Sequence, residues 1–260
     1  MTTTAQKFGQ LEVRVFPNRS AMGAAAAQFA AGAIAEACAA RGEARVIFAS
    51  APSQSDFLDA LTSPQNRDAI DWRKVTAFHM DEYAGFPASR PESFRHFLRN
   101  HLLERLPAPP AFHEIRGEAA DPDEECARYT ALLAEKPIDL VCLGIGENGH
   151  LAFNDPPVAD FHDPHTIKLV ELDESCRRQQ VNDGCFPTID AVPQQALTLT
   201  IPALFSAKHV CAIVPGARKA GAVRAALLGP IDTSCPASIL RTHPHAVMHL
   251  DPDSAPLLKS

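Results

Sequence analysis

Short apolar runs alternate with helical segments along this sequence, and that alternation constrains its fold more than any other feature. The runs of strand type are residues 11–16, 45–49, 75–79, 138–143, 196–200, 210–214 and 246–250. The helical segments are residues 20–41, a segment that ends at residue 61, and residues 93–106, 121–135, 202–206 and 219–227. This order predicts an α/β, Rossmann-like fold: a mainly parallel, doubly wound sheet with helices on both faces.

Several helix boundaries carry specific signals. Ser89-Arg-Pro-Glu92 has the form of a capping box with proline in the first turn, and it predicts a helix that opens at Ser93. Asp121-Pro-Asp-Glu124 repeats the same start signal. Gly42 is expected to end the first long helix.

Composition limits the partners of the chain. Its 260 residues predict one domain, and its net charge of -7 argues against nucleic acid or an anionic membrane as a partner. We expect no membrane segment, since no apolar stretch approaches the roughly 20 residues that span a bilayer. A local patch of N–H groups and cations is still enough to bind a phosphate.

The cysteines and histidines do not form the usual metal or disulfide patterns. The seven cysteines are scattered and never spaced as C-x-x-C, which predicts reduced thiols and a cytoplasmic location. His162-Asp-Pro-His165 and His243-Pro-His245 lack the helical spacing of a metal pair. No strand precedes a G-x-G-x-x-G helix start, so we predict neither a metal nor a cofactor.

Polar side chains follow four of the predicted strands. They lie at residues 50–53, at Asp81 and Glu82, at residues 147–150, and at Arg218 and Lys219. Ligands of open α/β sheets bind at the carboxyl ends of the strands. We therefore expect these four groups to share one site.

The segment after residues 138–143 is the most informative of the four. Gly144, Gly146 and Gly149 allow a tight turn around His150, and Asp155 follows five residues later. A carboxylate that fixes the tautomer of an imidazole makes a proton-transfer pair. A glycine-rich turn with a solvent-exposed histidine remains the alternative.

The other groups have weaker signals. One carboxylate of the Asp81-Glu82 pair is predicted to face the site and to move a proton, with a solvated acidic turn as the alternative. Lys219 at a helix start, together with the serines of residues 50–53, predicts a phosphate site. The alternatives are that Lys219 is an ordinary basic surface residue and that residues 50–53 form an ordinary loop.

At these positions the sequence resembles the glucosamine-6-phosphate deaminase/isomerase family, which is related to the 6-phosphogluconolactonases. The motifs that carry the resemblance are residues 80–83, 91–94, 144–156 and 214–219. The lactonase branch typically has Asp-Glu-Arg where this chain has Asp81-Glu-Tyr83, and it also differs after His150. The resemblance therefore favours the deaminase branch, with a Rossmann-like sheet, a lid at about residues 157–190 and no redox cofactor.

The resemblance also implies roles for individual residues. Asp81 matches the base that forms the enol, His150 the residue that opens the sugar ring, and Asp155 the carboxylate that orients it. Asn148 joins them as a fourth catalytic residue. The residues expected to bind substrate are Ser50, Ala51, Ser53, Glu82, Gly149, Ala152, Gln180 and Lys219.

Two departures concern the phosphate. The loop Ser50-Ala-Pro-Ser-Gln54 has no glycine where the family has Thr-Gly-Gly-Thr-Pro, and Gln180 stands where a lid arginine is expected. Arg177 or Arg178 could substitute for that arginine. The expected activity is conversion of D-glucosamine 6-phosphate and water to D-fructose 6-phosphate and ammonia. A sugar-phosphate lactonase and a non-catalytic sugar-phosphate sensor are the alternatives, and a homo-oligomer is left open.

Overall fold

The fold is that of a computed structural model, which describes residues 4–256. Its strands are β1 (Thr4–Phe8), β2 (Leu11–Val15), β3 (Ala44–Phe48), β4 (Val75–His79), β5 (Asp81–Tyr83), β6 (Ala111–His113), β7 (Leu140–Leu143), β8 (Ile167–Glu171), β9 (Gln195–Leu199), β10 (His209–Val214) and β11 (Ala246–Leu250). Its α-helices are α1 (Arg19–Arg41), α2 (Ser55–Leu61), α3 (Pro64–Arg67), α4 (Phe94–His101), α5 (Pro122–Ala134), α6 (Glu174–Asn182), α7 (Ile201–Phe205) and α8 (Ala220–Leu228).

Eight strands form the main sheet, in the order β1-β2-β11-β10-β7-β3-β4-β6. Neighbouring strands are parallel except for β1 and β2, which confirms the predicted mainly parallel α/β fold. From β3 the chain moves outward to β4 and β6, and from β7 it moves the other way to β10 and β11. The order therefore reverses between β3 and β7, where α/β sheets form their ligand crevices.

Each face of the main sheet has its own apolar core. Strand β7 contributes to both, because successive side chains of a strand point to opposite faces. Leu140 and Cys142 pack in the core that α1 covers, whereas Val141 and Leu143 pack in the core that α5 and α8 cover. The uninterrupted apolar run of β7 is thus explained by burial on both sides.

Helix α1 begins and ends as its sequence predicts. The Asn18 side chain accepts a hydrogen bond from the N–H of Ala21 at 2.8 Å, and Gly42 ends the helix with a φ of +80°. With 23 residues, α1 is long and apolar enough to span a bilayer by length and composition alone, so the expectation that no stretch reaches that length was wrong. Its buried residues, such as Met22 and Ile34, pack in the core that α1 covers.

The capping box predicted at residues 89–92 does not form. Helix α4 begins at Phe94, and the side chain of its N-cap residue Ser93 does not cap it. The Ser93 hydroxyl instead donates to the Glu82 carboxylate at 2.7 Å. The second start signal is confirmed, because the Asp121 side chain accepts from the N–H groups of Asp123 and Glu124.

A second, three-stranded sheet has the order β5-β9-β8 and is antiparallel. Residues 196–200 had been assigned to the main sheet, but β9 belongs to this small sheet. Residue 80 alone separates β4 of the main sheet from β5 of the small one. The segment predicted as a lid, residues 157–190, contains β8 and α6, and its movement stays a prediction.

Strand β9 also holds the turn after β7. The Thr198 hydroxyl accepts from the N–H of Phe153 at 3.0 Å, and the Asn154 side chain donates to the Leu199 carbonyl at 2.8 Å. Leu199 in turn donates its N–H to the Met80 carbonyl at 2.8 Å. One short strand therefore contacts both the segment before Asp81 and the turn after His150.

Candidate active site

A cleft lies at the carboxyl ends of β10, β7, β3 and β4, where the polar groups were predicted to meet. Among its lining residues are eight of the predicted site residues: Ser50, Ala51, Ser53, Asp81, His150, Ala152, Gln180 and Lys219. Asn148, Gly149, Asp155 and Glu82 do not line it. The geometry brings most of the predicted residues together, while the roles assigned to them stay predictions.

The turn that carries His150 depends on glycine. The Gly146 N–H donates to the His150 carbonyl at 2.9 Å, and the Gly149 N–H donates to the Gly146 carbonyl at 3.0 Å. A Cβ atom at residue 146 would lie 2.3 Å from the His150 ring, so only glycine leaves room for the imidazole. Gly149 has a φ of +88° and faces Cys235, outside the cleft lining.

Ala152 follows His150 in a strained conformation. Its φ of +52° lies in the left-handed region, which side chains other than glycine rarely adopt. Ala152 lines the cleft, and its neighbours Leu151 and Asn154 form a short antiparallel bridge. The strained residue therefore sits inside a tight turn that points His150 into the cleft.

His150 is tied to Asp155 and Asn148. The Nδ1 atom of His150 lies 2.8 Å from the Oδ1 atom of Asp155, and Asn148 donates to the same oxygen at 2.8 Å. The Asn148 side-chain oxygen accepts from the His150 N–H at 3.0 Å. Because a carboxylate can only accept, Nδ1 carries the proton and Nε2 is left as the basic nitrogen.

Asp155 is buried and stays ionised. Burial raises the pKa of its carboxyl, but hydrogen bonds from His150 and Asn148 lower that pKa by more, to below the usual value. Its Oδ2 atom is buried and has no hydrogen-bond partner among the described residues. No sequence pattern indicates a role for Cys176 of α6, yet its thiol lies within 4.8 Å of the ligand atoms of His150 and Asp155.

Those three groups are a nitrogen, an oxygen and a sulfur donor, a set that suits zinc. The imidazole and the carboxylate already share a hydrogen bond, which serves proton transfer without an ion. The prediction that the site uses no metal stays a prediction.

Asp81 is the buried carboxyl group of the cleft. Burial raises its pKa well above the usual value, and the adjacent Glu82 carboxylate raises it further. A carboxylate with a raised pKa is a stronger base than an exposed one. Asp81 is thus suited to taking a proton from carbon.

Glu82 does not face the cleft, and its predicted place among the substrate-binding residues was wrong. Its side chain is fully buried and points to the start of α4, where it pairs with Arg95 at 3.0 Å. It also accepts hydrogen bonds from the N–H groups of Tyr83, Phe94 and Arg95. Adjacent residues of an extended strand point to opposite sides, and here only Asp81 points to the cleft.

Lys219 lies at the helix start where the sequence predicted a phosphate site. It ends the 3-10 turn Ala217–Lys219 before α8, and its side chain is buried. Burial lowers its pKa, while the Asp183 and Glu147 carboxylates oppose that change. Its neighbour Arg218 is exposed and binds Asp183 at 3.1 Å, outside the cleft lining.

Neither Arg177 nor Arg178 replaces the missing arginine. Arg177 donates to the Ile189 carbonyl at 2.7 Å, and Arg178 pairs with Glu174 at 2.5 Å on the exposed side of α6. Gln180 alone of these reaches the cleft. The expectation that one of the two arginines could substitute was therefore wrong.

Sequence reasoning missed several lining residues. Besides parts of the backbone, the cleft is lined by Gln54, Met80, Phe94, Phe153, Gln179 and Asp183. Gln54 closes the serine loop and was named as part of it without a role. Gln179 and Asp183 belong to α6 and its end, and only the tertiary fold brings that helix to the cleft.

A Rossmann-like sheet whose cleft holds a His–Asp pair and a buried aspartate is typical of enzymes that move protons with side chains. The chain matches the family model described as Glucosamine-6-phosphate isomerases/6-phosphogluconolactonase over residues 17–248. This chain therefore belongs to that family, and the resemblance seen in the sequence is confirmed.

Relatives named glucosamine-6-phosphate deaminase are similar over most of the chain. The protein of Exiguobacterium sibiricum is 37% identical over 192 residues, 74% of this chain and 74% of the relative. That of Listeria welshimeri is 38% identical over 192 residues, 73% of this chain and 78% of the relative.

Solved structures agree with that assignment. A monomeric glucosamine-6-phosphate deaminase matches with a TM-score of 0.86 and 30% identity, covering 94% of this chain and 99% of the other. A 6-phosphogluconolactonase of Shewanella baltica has a TM-score of 0.75 and 19% identity over 92% of this chain and 96% of its own, and shares the fold alone.

Proposed function

We propose that this protein is an isomerising deaminase that converts D-glucosamine 6-phosphate and water to D-fructose 6-phosphate and ammonia. The observation that carries the proposal is one cleft lined by both the His150 imidazole, which is hydrogen-bonded to Asp155, and the buried carboxyl of Asp81. Aldose–ketose isomerisation needs one group that opens the ring and one that moves a proton between carbons. Relatives at 37–38% identity that bear the deaminase name support the same activity.

Ring opening is assigned to His150. Its Nε2 atom takes the proton of the O1 hydroxyl and returns a proton to O5 as the C1–O5 bond breaks. The Asp155 carboxylate holds Nδ1 and stabilises the imidazolium that forms between the two transfers. Asn148 keeps the carboxylate in place through its own hydrogen bond.

Proton transfer between C2 and C1 is assigned to Asp81. Its carboxylate takes the C2 proton to give an enol-type intermediate and then delivers that proton to C1. O1 is protonated as the enol forms, and the amine gives up one proton as the C2=N bond forms, so the product at C2 is an imine. Water hydrolyses this imine to the ketone with release of ammonia. Each positioned acid or base contributes about 10²–10⁴ in rate.

The phosphate is assigned to the cleft residues around Lys219. Its ammonium group is the cation that lines the cleft within residues 4–256, and the serine hydroxyls of Ser50 and Ser53 line the same cleft. Lys219 also precedes the first turn of α8, where the helix dipole favours an anion.

Release of ammonia from D-glucosamine 6-phosphate tests the proposal. We expect ammonia and fructose 6-phosphate in equal amounts from the wild type and none above background from Asp81→Asn. Equal background rates from both proteins would sink the deaminase assignment.

The same preparations separate the alternatives. Hydrolysis of 6-phosphogluconolactone without ammonia release selects a lactonase, and tight binding of sugar phosphate with no turnover selects a sensor. No observation of the cleft favours either one, and the lactonase of Shewanella baltica shares the fold alone. A cytoplasmic location and a homo-oligomer stay predictions, although all seven cysteines are free thiols as expected.

A further inference from the structure

The part of the cleft that should hold the phosphate differs from what a phosphate dianion needs. We call this part the terminal subsite and define it by six lining residues: Ser50, Ser53, Gln54, Gln180, Asp183 and Lys219. Its charge, its hydrogen-bond acceptors and its backbone each bear on the group that it binds.

The charges of the terminal subsite cancel. Lys219 is the one lysine or arginine among the lining residues of the described chain, and the Asp183 carboxylate lines the same cleft. Arg218 lies outside the cleft lining and pairs with Asp183 and Glu147, so the two cations Lys219 and Arg218 are balanced by these two carboxylates. A phosphate monoester carries about -1.5 to -2 at neutral pH. Such a group would keep an uncompensated negative charge in a buried place.

The subsite also has a buried acceptor that lacks a donor. The Gln54 side chain donates through Nε2 to the Ile213 carbonyl and to the Ser53 hydroxyl, both at 3.2 Å. The carbonyl can only accept, so the amide orientation is fixed and Oε1 is the acceptor. Oε1 is buried and has no partner among the described residues, and Gln54 is itself 1% exposed. A hydroxyl group can donate to it, whereas a fully ionised phosphate cannot.

The backbone of the loop differs from a glycine-rich phosphate cradle at two positions. Pro52 has no N–H, and the Gln54 N–H donates to the Ala51 carbonyl at 2.8 Å. A phosphate cradle normally uses several free N–H groups of a glycine-rich turn. This loop therefore does not supply what the missing arginine would have supplied.

We propose that the terminal subsite binds a neutral group that donates a hydrogen bond, so that the protein deaminates free 2-amino-2-deoxyhexoses about as well as their 6-phosphates. The inference rests on the deaminase activity proposed above and widens its substrate class. Asp183 is the residue that sets this preference, because its carboxylate offsets Lys219 and holds Arg218 away from the cleft lining.

A panel of three substrates tests the proposal, with ammonia release as the measurement. The substrates are D-glucosamine, D-glucosamine 6-phosphate and 6-deoxy-D-glucosamine, which lacks both the charge and the donor. We expect kcat/KM for glucosamine within about tenfold of the 6-phosphate value, and at least about tenfold above the 6-deoxy value, since an unpaired buried acceptor is costly. A glucosamine value more than tenfold below that of the 6-phosphate overturns the proposal, as does equal turnover of the 6-deoxy sugar.

Charge variants test the role of Asp183. Asp183→Asn should raise the ratio of kcat/KM for phosphorylated over free substrate by about fivefold or more, because it unmasks Lys219 and releases Arg218. Gln180→Arg adds a cation at a cleft residue and should raise the same ratio. Glu174→Gln is the matched control, since it removes one negative charge from the same helix at an exposed residue that pairs with Arg178. An unchanged or lower ratio in both Asp183→Asn and Gln180→Arg contradicts the assignment.

The two proposals fail in different ways. Turnover of the 6-phosphate alone leaves the deaminase function standing and removes the wider substrate class. No ammonia from any of the three sugars removes the deaminase function, and the inference falls with it.

Discussion

The two halves of the cleft are built differently. Around His150, three side chains are joined by hydrogen bonds of 2.8 Å, and the turn that carries them has no room for a side chain at residue 146. In the terminal subsite, Ser50 and Gln54 keep buried oxygen atoms without partners, and Lys219 is opposed by Asp183. The His150 imidazole is thus fixed in the protein without substrate. The side chains of the terminal subsite, in contrast, keep hydrogen-bonding capacity that a ligand can use.

Of the substitutions that test this difference, Asp81→Asn should have the largest effect on activity. Loss of the base should lower kcat by at least about 10³-fold for phosphorylated and free sugar alike. Ammonia release under saturating substrate measures it. A loss confined to one of the two substrates would contradict a role in the common chemistry.

The same variant should be more stable than the wild type. Burial and Glu82 raise the pKa of Asp81, so the ionised form is disfavoured in the folded protein at neutral pH. Removing that charge should raise the free energy of unfolding by about 1 kcal/mol. The gain should shrink at low pH, where Asp81 is protonated in both states, and denaturant unfolding at two pH values checks this.

Asp155→Asn should cause the next largest loss of kcat. An amide in place of the carboxylate no longer fixes the proton on Nδ1 and no longer stabilises the imidazolium, so kcat should fall by about 10²-fold. KM should change little, because Asp155 does not line the cleft. A rise in KM with unchanged kcat would assign Asp155 to binding instead.

Lys219→Met tests the terminal subsite, which is the other half of the cleft. It should lower kcat/KM for the 6-phosphate by about tenfold or more and for free glucosamine by less than about threefold, since only the phosphate needs the charge. Steady-state kinetics on both sugars measure it. Equal losses would mean that Lys219 serves the common chemistry.

Alkaline pH should produce the smallest effect. Burial lowers the pKa of Lys219, so its charge is present at neutral pH and is lost as pH rises through a value below that of an ordinary lysine. The ratio of phosphorylated to free substrate in kcat/KM should therefore fall severalfold over that interval. In Lys219→Met the ratio should stay flat, which separates this titration from that of the substrate.

Much of this architecture was predictable, and the failures have physical causes. The parallel strands carry long apolar runs, so their positions follow from the sequence. The three-residue strands β5 and β6 are too short to show a period, and β9 looks like a main-sheet strand because it is buried. Ser93 and Glu82 were misassigned because their mutual hydrogen bond depends on how α4 meets β5.

The site was predicted best where one segment carries it. His150, Asp155 and Asn148 lie within eight residues of one another, so local sequence shows them together. Asp183 follows the last residue of α6 and lines the cleft, whereas Cys176 lies within α6 near His150 and Asp155. No pattern in the sequence of that helix indicates either placement. The terminal subsite is therefore a product of tertiary packing.

Strand β9 has a consequence for how the activity responds to heat. It contacts Met80, immediately before Asp81, and it also holds Phe153 and Asn154 of the turn that follows His150. Both proton-transfer groups thus keep their spacing through five residues of one three-stranded sheet. Because Leu197 and Leu199 of β9 pack in the same apolar core as the main sheet, loss of the small sheet on heating should end ring opening and deamination together.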